Sequence, residues 1–347
     1  MNYILALVSA IILSCLITPI CRFLAYRLDI VDNPGVEARK QHGRRVAYLG
    51  GLAIAVTFIL IVWRVYPDFS SLTWVLAGLV VVVVIGLVDD ILGMKPWQKL
   101  IGQILVGIIL VEAGVGISTF PLPWGGYIDL NVWQIDLAVV GINYSFFGWS
   151  ALFTIGWTVF LMNALNFLDG VDGLASGVSS IAFLMIFFLS TAAYVNQPLV
   201  ALLALIMVGA IWGFLPYNLP PATIFLGDSG SMMFGYMLSV LSIFSGGKVA
   251  TLTLVLGIVI LDTILVVFNR MKMKKQVWLA DRLHLHFQLL DRGWSAWQVL
   301  LLYFLMSLGL GLTALFLPYI WVKIVIWLAF VLYFFVFIYR YANKSGE

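Results

Sequence analysis

Apolar stretches of about 20 residues, the length an α-helix needs to cross a hydrocarbon core, recur along the whole of this 347-residue sequence. Its composition, 63% hydrophobic and 10% charged, lies outside the range of soluble domains. Backbone polar groups in lipid must be satisfied within a helix or a closed barrel, and the apolar runs are too long and too continuous for barrel strands. The expected fold is therefore an all-α polytopic integral membrane protein with about eleven transmembrane helices. They fall at roughly 3–25, 46–63, 72–89, 98–115, 149–168, 176–194, 199–215, 229–245, 249–269, 298–316 and 320–340. The first is too long for a signal-peptide core and no basic residue precedes it, so it reads as a retained helix. No internal repeat, low-complexity tail or soluble segment is visible, and residues 1–347 read as a single membrane-embedded domain.

Charge sets the expected orientation. With the N-terminus outside, only Arg64, Lys248 and Lys323 of the 19 Lys and Arg residues fall on the outer side, which is the asymmetry expected of cytoplasmic loops. The C-terminus is then cytoplasmic. The connection 116–148 has no Lys or Arg, as translocation favours, and Trp124-Gly-Gly-Tyr-Ile-Asp129 with the alternation after it suggests a small hairpin over the outer mouth. The net charge of +3 is thus a record of topology, and no nucleic-acid recognition module is present. Cys15 and Cys21 lie in the first span without metal-ligand spacing and read as packing residues.

Against this background the polar clusters stand out. Asn163-Ala-Leu-Asn166-Phe-Leu-Asp169-Gly-Val-Asp172-Gly-Leu174 ends the fifth span, with its carboxamides and carboxylates three apart on neighbouring turns. Oxygen ligands in such a cluster suit a hard cation such as Mg²⁺; the alternative is a helix C-cap built on Gly170 and Gly173. Asp89-Asp90 ends the third span, and the pair needs a metal or a basic partner unless it is a solvated cap. Lys99 follows at the start of the fourth span, placed to reach a phosphate. Phe225-Leu-Gly-Asp228-Ser-Gly-Ser231 sets a carboxylate at a helix N-terminus, where backbone N–H groups favour anions, or serves as an ordinary N-cap. Phe225 either stacks on a planar base or anchors the loop. In Asp281-Arg-Leu-His284-Leu-His286 the histidine spacing does not match zinc; the segment suits phosphate binding or an amphipathic surface helix. Asp262 lies within the ninth span, about eight residues from Arg270, and reads as a structural residue or as one that supports the site from behind, paired with a basic residue or a helix end. The loop Arg39-Lys40-Gln-His42-Gly-Arg44-Arg45 either clamps a diphosphate or enforces topology. The orientation was fixed by Lys and Arg alone, yet Asp89, Asp90, Asn166, Asp169, Asp172, Asp228, His284 and His286 all fall on its cytoplasmic side.

In this order, Asp89-Asp90, Asn163-x-x-Asn166-x-x-Asp169-Gly-x-Asp172-Gly-Leu174, Phe225-x-Gly-Asp228-x-Gly-Ser231 and Asp281-x-x-His284-x-His286 resemble the motifs of the polyprenyl-phosphate N-acetylhexosamine-1-phosphate transferases, over nearly the whole chain. The resemblance implies a multi-pass enzyme of a bacterial cell membrane, often dimeric, using Mg²⁺ or Mn²⁺. Such enzymes move a sugar 1-phosphate from a UDP-sugar to a polyprenyl phosphate such as undecaprenyl phosphate and release UMP, giving the first lipid-linked intermediate of a cell-envelope glycan. It implies Asp228 and Asn166 as metal ligands, and Asp89, Asp90 and Asp228 as the catalytic carboxylates. It further implies Asn163, Asp169, Asp172 and Phe225 on the nucleotide side, with Lys99, Arg44, His284 and His286 on phosphates. The His284-Leu-His286 pattern and the Arg39-Lys40-x-His42 loop are more similar to the branch using UDP-GlcNAc than to the muramoyl-pentapeptide branch. Phe287 departs from that branch, where a further histidine is usual, and Arg45, Ala47 and Tyr48 depart from its basic loop. A secondary transporter would place its carboxylates near the midplane and show a repeat, and an inactive scaffold would have lost metal-binding carboxylates; neither pattern is found here.

Overall fold

The computed structural model describes residues 2–32, 45–66, 72–122, 126–139, 142–244, 248–276, 282–317 and 320–343. Helix α1 (Tyr3–Arg27) is followed by a two-stranded ribbon of β1 (Val31–Asp32) and β2 (Val46–Ala47), then by α2 (Gly50–Val65), α3 (Thr73–Leu92) and α4 (Pro96–Glu112). Two antiparallel ribbons come next, β3 (Thr119–Pro121) with β4 (Tyr127–Asp129) and β5 (Gln134–Val139) with β6 (Ile142–Phe147). The helices resume with α5 (Gly148–Leu168), α6 (Leu174–Thr191), α7 (Pro198–Asn218) and α8 (Gly227–Ile243). The chain continues through α9 (Lys248–Val255), α10 (Gly257–Lys272), the short α11 (Leu285–Asp291), α12 (Ala296–Phe316) and α13 (Ile320–Asn343).

Every expected span is occupied by helix. Among the described residues six helices are individually long and apolar enough to cross a membrane, seven if a bent pair is counted as one span. The stretch expected as one span at 249–269 is that bent pair: Val249–Val255 and Gly257–Lys272 meet at 80°. Gly257 begins the second arm, close against α12, where a Cβ would stand 3.0 Å from Leu310 Cδ1. The three ribbons also qualify the all-α expectation. The hairpin expected from the alternation after residue 129 is found as β5–β6, with Gln134 opposite Phe147 and Val139 opposite Ile142.

Helix α8 is the axis of the bundle. From Ser229 to Ile243 each of its residues is buried, against α3, α5 and α2. Lipid removes the hydrophobic drive between helices, so close packing and interhelical hydrogen bonds must hold them. Both are present. A Cβ on Gly86 of α3 would lie 2.2 Å from Ser229 Cα, and one on Gly235 of α8 would lie 2.5 Å from Leu161 O of α5. The Tyr236 hydroxyl donates to Val75 O at 2.8 Å, and Thr158 and Ser239 hydroxyls pair at 2.6 Å. On the outside, α1 exposes Ile4, Leu5, Ile12, Leu16, Ile20 and Phe23, and α12 exposes Leu301 and Leu305. These apolar surfaces are what a lipid-facing helix presents.

Candidate active site

The site is assembled at the ends of α3, α5 and α8 and the start of α4. Gly93, at φ 67°, turns the chain after α3, and a side chain in that left-handed conformation would be strained. The turn is fastened by Met94 N–H donating to Asp89 Oδ1 at 2.6 Å. It brings α4 back along α3, so that Lys99 Nζ stands 3.0 Å from Asp89 Oδ2.

Asp90 does a different job. Its two oxygens accept from the backbone N–H groups of Asp228 (2.8 Å) and Ser229 (3.3 Å). It is an N-terminal cap for α8 supplied from another helix, satisfying orphan donors and complementing the helix dipole. Gly227 precedes the cap at φ 74°, and a Cβ there would meet Asp90 Oδ2 at 2.7 Å. Glycine is therefore required at 227 for both conformation and space.

With α8 fixed in this way, Asp228 faces the end of α5. Asn166 Nδ2 donates to Asp228 Oδ1 at 2.7 Å and to Ser231 Oγ at 3.0 Å. Lys99 Nζ donates to Asn166 Oδ1 at 3.2 Å and forms an ion pair with Asp228. One ammonium is thus held by oxygens of Asp89, Asn166 and Asp228, from three helices. Lys99 and Asp89 are each only 14% exposed, so the charges are largely removed from water. Mutual attraction offsets the desolvation only while both partners remain.

The carboxylates around this ammonium outnumber it. Asp169, just beyond α5, lies near Asp228, Asp90 and Asp172 and faces the Gly227 N–H. Burial first, then those neighbouring negative charges, pushes its carboxyl well above the usual carboxylate range, with the Gly227 N–H opposing. The oxygens around Lys99 Nζ are of the kind that a hard cation prefers. Among the described residues no three His, Cys, Asp or Glu side chains are arranged to hold a metal by themselves. An amide oxygen and non-protein oxygens would have to complete the coordination, as Mg²⁺ commonly accepts.

The remaining sequence-predicted residues surround this centre. Asn163, one turn before Asn166, donates to Gln103 Oε1 at 2.7 Å and to Val159 O at 2.8 Å. Asp172 Oδ2 accepts from Ala222 N–H at 2.8 Å, tying the α5–α6 turn to the segment that leads into α8. Phe225 is tilted against Tyr48 with ring centroids 5.8 Å apart. Its backbone is fastened to the strand before α2, Phe225 N–H donating to Ala47 O at 2.7 Å. His284 and His286 are buried, 4% and 0% exposed, beneath the turn that follows α5. A Cβ on Gly170 would lie 2.7 Å from His286 Nε2. The contacts of the two imidazoles are with Asp262, Phe167 and the Gly170 turn rather than with the Lys99 cluster. Arg44, with Arg39, Lys40, His42 and Asp281, lies outside the described residues. Two participants were missed from the sequence: Gln103, which orients Asn163, and Ser231, which bonds Asn166. The signal for Gln103 was a buried amide in the apolar α4, one turn after Lys99.

Comparison with known proteins fits this arrangement. The model for glycosyl transferase family 4 matches residues 72–246, from the start of α3 to the end of α8. The chain belongs to this family. Over 97% of its length, and 89% of the relative's, it is 28% identical to a probable undecaprenyl-phosphate N-acetylglucosaminyl 1-phosphate transferase of Bacillus subtilis. It is 30% identical to the decaprenyl-phosphate N-acetylglucosaminephosphotransferase of Mycobacterium leprae, over 86% of this chain and 79% of that one. It is 34% identical to a phospho-N-acetylmuramoyl-pentapeptide-transferase of Levilactobacillus brevis, over 76% of this chain and 80% of that one. The family 4 match spans the entire Asp89–Asn166–Asp228 cluster and stops before the histidine loop.

Two outcomes follow from the electrostatics. Lys99→Met removes the ammonium and leaves like charges facing one another, so the metal-free variant should lose about 3–5 kcal/mol of stability. If the remaining oxygens take up a cation in its place, millimolar Mg²⁺ should restore much of the melting temperature in the variant and change the wild type less; a variant as stable as wild type without Mg²⁺ would remove Lys99 from this role. The second concerns His286, whose imidazole burial pushes down from 6.5 to about 3. The folded state then binds fewer protons than the unfolded one in that interval, so the His286 contribution is complete above pH 6.5. It is lost as pH falls toward 3, by about 1.4 kcal/mol per pH unit. Melting temperatures of His286→Phe measured from pH 7 to 4 should fall less steeply than those of the wild type; parallel curves would refute the assignment.

Proposed function

We propose that this protein transfers N-acetylglucosamine 1-phosphate from UDP-N-acetylglucosamine to undecaprenyl phosphate at the cytoplasmic face of a bacterial cell membrane, releasing UMP. The coarser statement is already secure: the chain is a sugar-phosphate transferase enzyme of a multi-pass membrane type, with a polyprenyl phosphate as acceptor and a nucleotide sugar as donor. The observation that supports the transfer and its membrane face, though not the identity of the sugar, is the ring of oxygens from Asp89, Asn166 and Asp228 about one cation, on three helix ends that the basic loops assign to the cytoplasmic side. Residues 1–347 act as one domain in this reading, with the N-terminus outside.

In the transfer, an oxygen of the lipid phosphate attacks the phosphorus that carries the sugar. The bond from that phosphorus to the oxygen bridging to UMP breaks, and UMP leaves with the electron pair. Asp228 and Asn166 would hold Mg²⁺, or Mn²⁺ in its place, and the bound ion would neutralise charge on the diphosphate. Lys99 would exchange its Asp228 partner for a phosphate oxygen, a point cation released as the site fills. No general base is needed, because a phosphate monoester with a second pKa of about 6 is already largely dianionic at neutral pH. The engagement of both Asp90 oxygens by backbone N–H groups supports a positioning role for that residue. Asp89, bonded to Lys99, would orient it between acceptor and donor. Asp169, Asp172, Asn163 and Phe225 would line the nucleotide side. Arg44 would contact phosphates, as would His284 and His286 after movement of their loop.

The choice of N-acetylglucosamine rests on the His284-Leu-His286 pattern and on the N-acetylglucosamine relatives, one of which aligns over 97% of this chain. Muramoyl-pentapeptide relatives, 34% identical over 76% of this chain in one case and 28% identical over 91% in another, favour UDP-MurNAc-pentapeptide as the second reading. UMP release by purified protein with undecaprenyl phosphate, Mg²⁺ and a panel of UDP-sugars tests both. The expected result is lipid-dependent release that is highest with UDP-GlcNAc, abolished by EDTA, and more than about 100-fold lower in a folded Asp228→Ala variant, a loss that outer-shell changes at metal sites already approach. Release that survives EDTA and Asp228→Ala would sink the metal assignment; preference for another sugar would reassign the donor. Orientation is tested separately: a cysteine replacing the exposed Lys95 should react with an impermeant thiol reagent only in inside-out vesicles. Labelling in right-side-out vesicles would invert the topology.

A further inference from the structure

Phe167 stands between Asn166 and Asp169 on the turn that ends α5, and polar groups of the broken span converge on its ring. The Arg270 guanidinium, on a side chain 1% exposed, lies 5.7 Å from the ring centroid. The His284 imidazole lies 5.3 Å from it. His284 is itself held by Asp262: Asp262 Oδ2 is 2.8 Å from His284 Nδ1, and Asp262 Oδ1 accepts from Leu285 N–H at 2.9 Å. His286 continues the stack, its ring 5.6 Å from that of His284 at an interplanar angle of 12°, and it packs beneath Gly170. Asp262 and Arg270 both belong to α10, the arm that the 80° break turns toward α5.

A carboxylate inside an apolar helix is costly to place, and here both of its oxygens are committed to one loop. That arrangement fixes the imidazole tautomer, with the proton on Nδ1 and directed at Asp262, and fixes the ring plane presented to Phe167. The guanidinium approaches the same ring as a cation does an aromatic face. We propose that α10 is the positioning element of the Asn166–Asp169 turn: Asp262 acting through His284, and Arg270 acting directly, fix the Phe167 ring and thereby the two polar side chains that flank it. Asp262 and Arg270 are positioning residues in this scheme, and its kinetic consequences rest on the transferase reading above.

Asp262→Asn tests the linkage with little change of shape, because the amide keeps one acceptor for Leu285 N–H but sets an NH₂ donor or a lost bond against His284 Nδ1, so the Nδ1–H tautomer and the carboxylate charge that hold the ring are removed. Misplacement of the turn should lower kcat about 10-fold or more, with KM for the UDP-sugar changed by less than about threefold. Amide hydrogen exchange in 166–173 should rise while the preceding turns of α5 stay protected, and Asp262→Glu should recover most of the rate. Phe167→Leu should give the same pattern, and the double variant should be no slower than the worse single one, since both changes act through one ring. Losses that multiply in the double variant, or unchanged exchange at 166–173 in folded Asp262→Asn, would overturn the proposal. If Asp262→Asn does not fold, His284→Gln with Phe167→Leu completes the same cycle with the same two outcomes. If the wild type releases no UMP from any UDP-sugar, the reaction assignment fails, and the exchange measurement alone decides the positioning role.

Discussion

The buried N-terminus of α8 is the point on which the site depends. Its first N–H groups have no partners within the helix and are largely removed from water, and an unpaired buried donor costs about 1–3 kcal/mol. Asp90 of α3 supplies the acceptors, and Gly86 and Gly227 leave the space for the two helices to meet. Once α8 is fixed, the position of Asp228 follows, and with it the partners of Asn166 and Lys99. The adjacent aspartates therefore divide the work. Asp90 satisfies a helix end, and Asp89 joins the ring of oxygens about the ammonium.

The excess of carboxylate over ammonium gives the site its chemistry. An apolar bundle can hold Asp89, Asp90, Asp169 and Asp228 so close together only if cations or protons offset them. Lys99 supplies one charge, and the raised protonation of Asp169 removes part of another. On the proposed function, a divalent cation arriving with its diphosphate would be favoured here, because the incoming positive charge would relieve repulsion already present. Lys99 need not leave; it has only to exchange one oxygen partner for another.

Much of this was legible in the sequence, for reasons that differ from residue to residue. The spans were readable because apolar runs of helical length have few other uses, and Asp89, Asn166 and Asp228 were readable because polar groups at the ends of such runs stand out. The break in 249–269 was hidden, since mean hydropathy is blind to direction and Gly257 was its only mark. The capping role of Asp90 was hidden because two adjacent aspartates look alike until the helix they face is known. Gln103 was passed over as a single neutral amide in α4, although it orients Asn163. Asp262 was read as structural, and the structure makes that reading specific by giving it His284 and Leu285 as partners.

The histidine loop shows how a motif can bear on a reaction without lying at its centre. A pair of imidazoles one residue apart suggests phosphate contacts when read alone. Folded, the pair stacks beneath Gly170 and beside Phe167, so it shapes the turn that carries Asn166 and Asp169. On the proposed function, the Lys99 centre would act on the diphosphate, the part that UDP-GlcNAc and UDP-MurNAc-pentapeptide share. Selection between donors must therefore come from side chains reaching past the phosphates to the sugar. The same charged cluster could then serve either donor, in keeping with a family match that spans it and with relatives named for two different sugars.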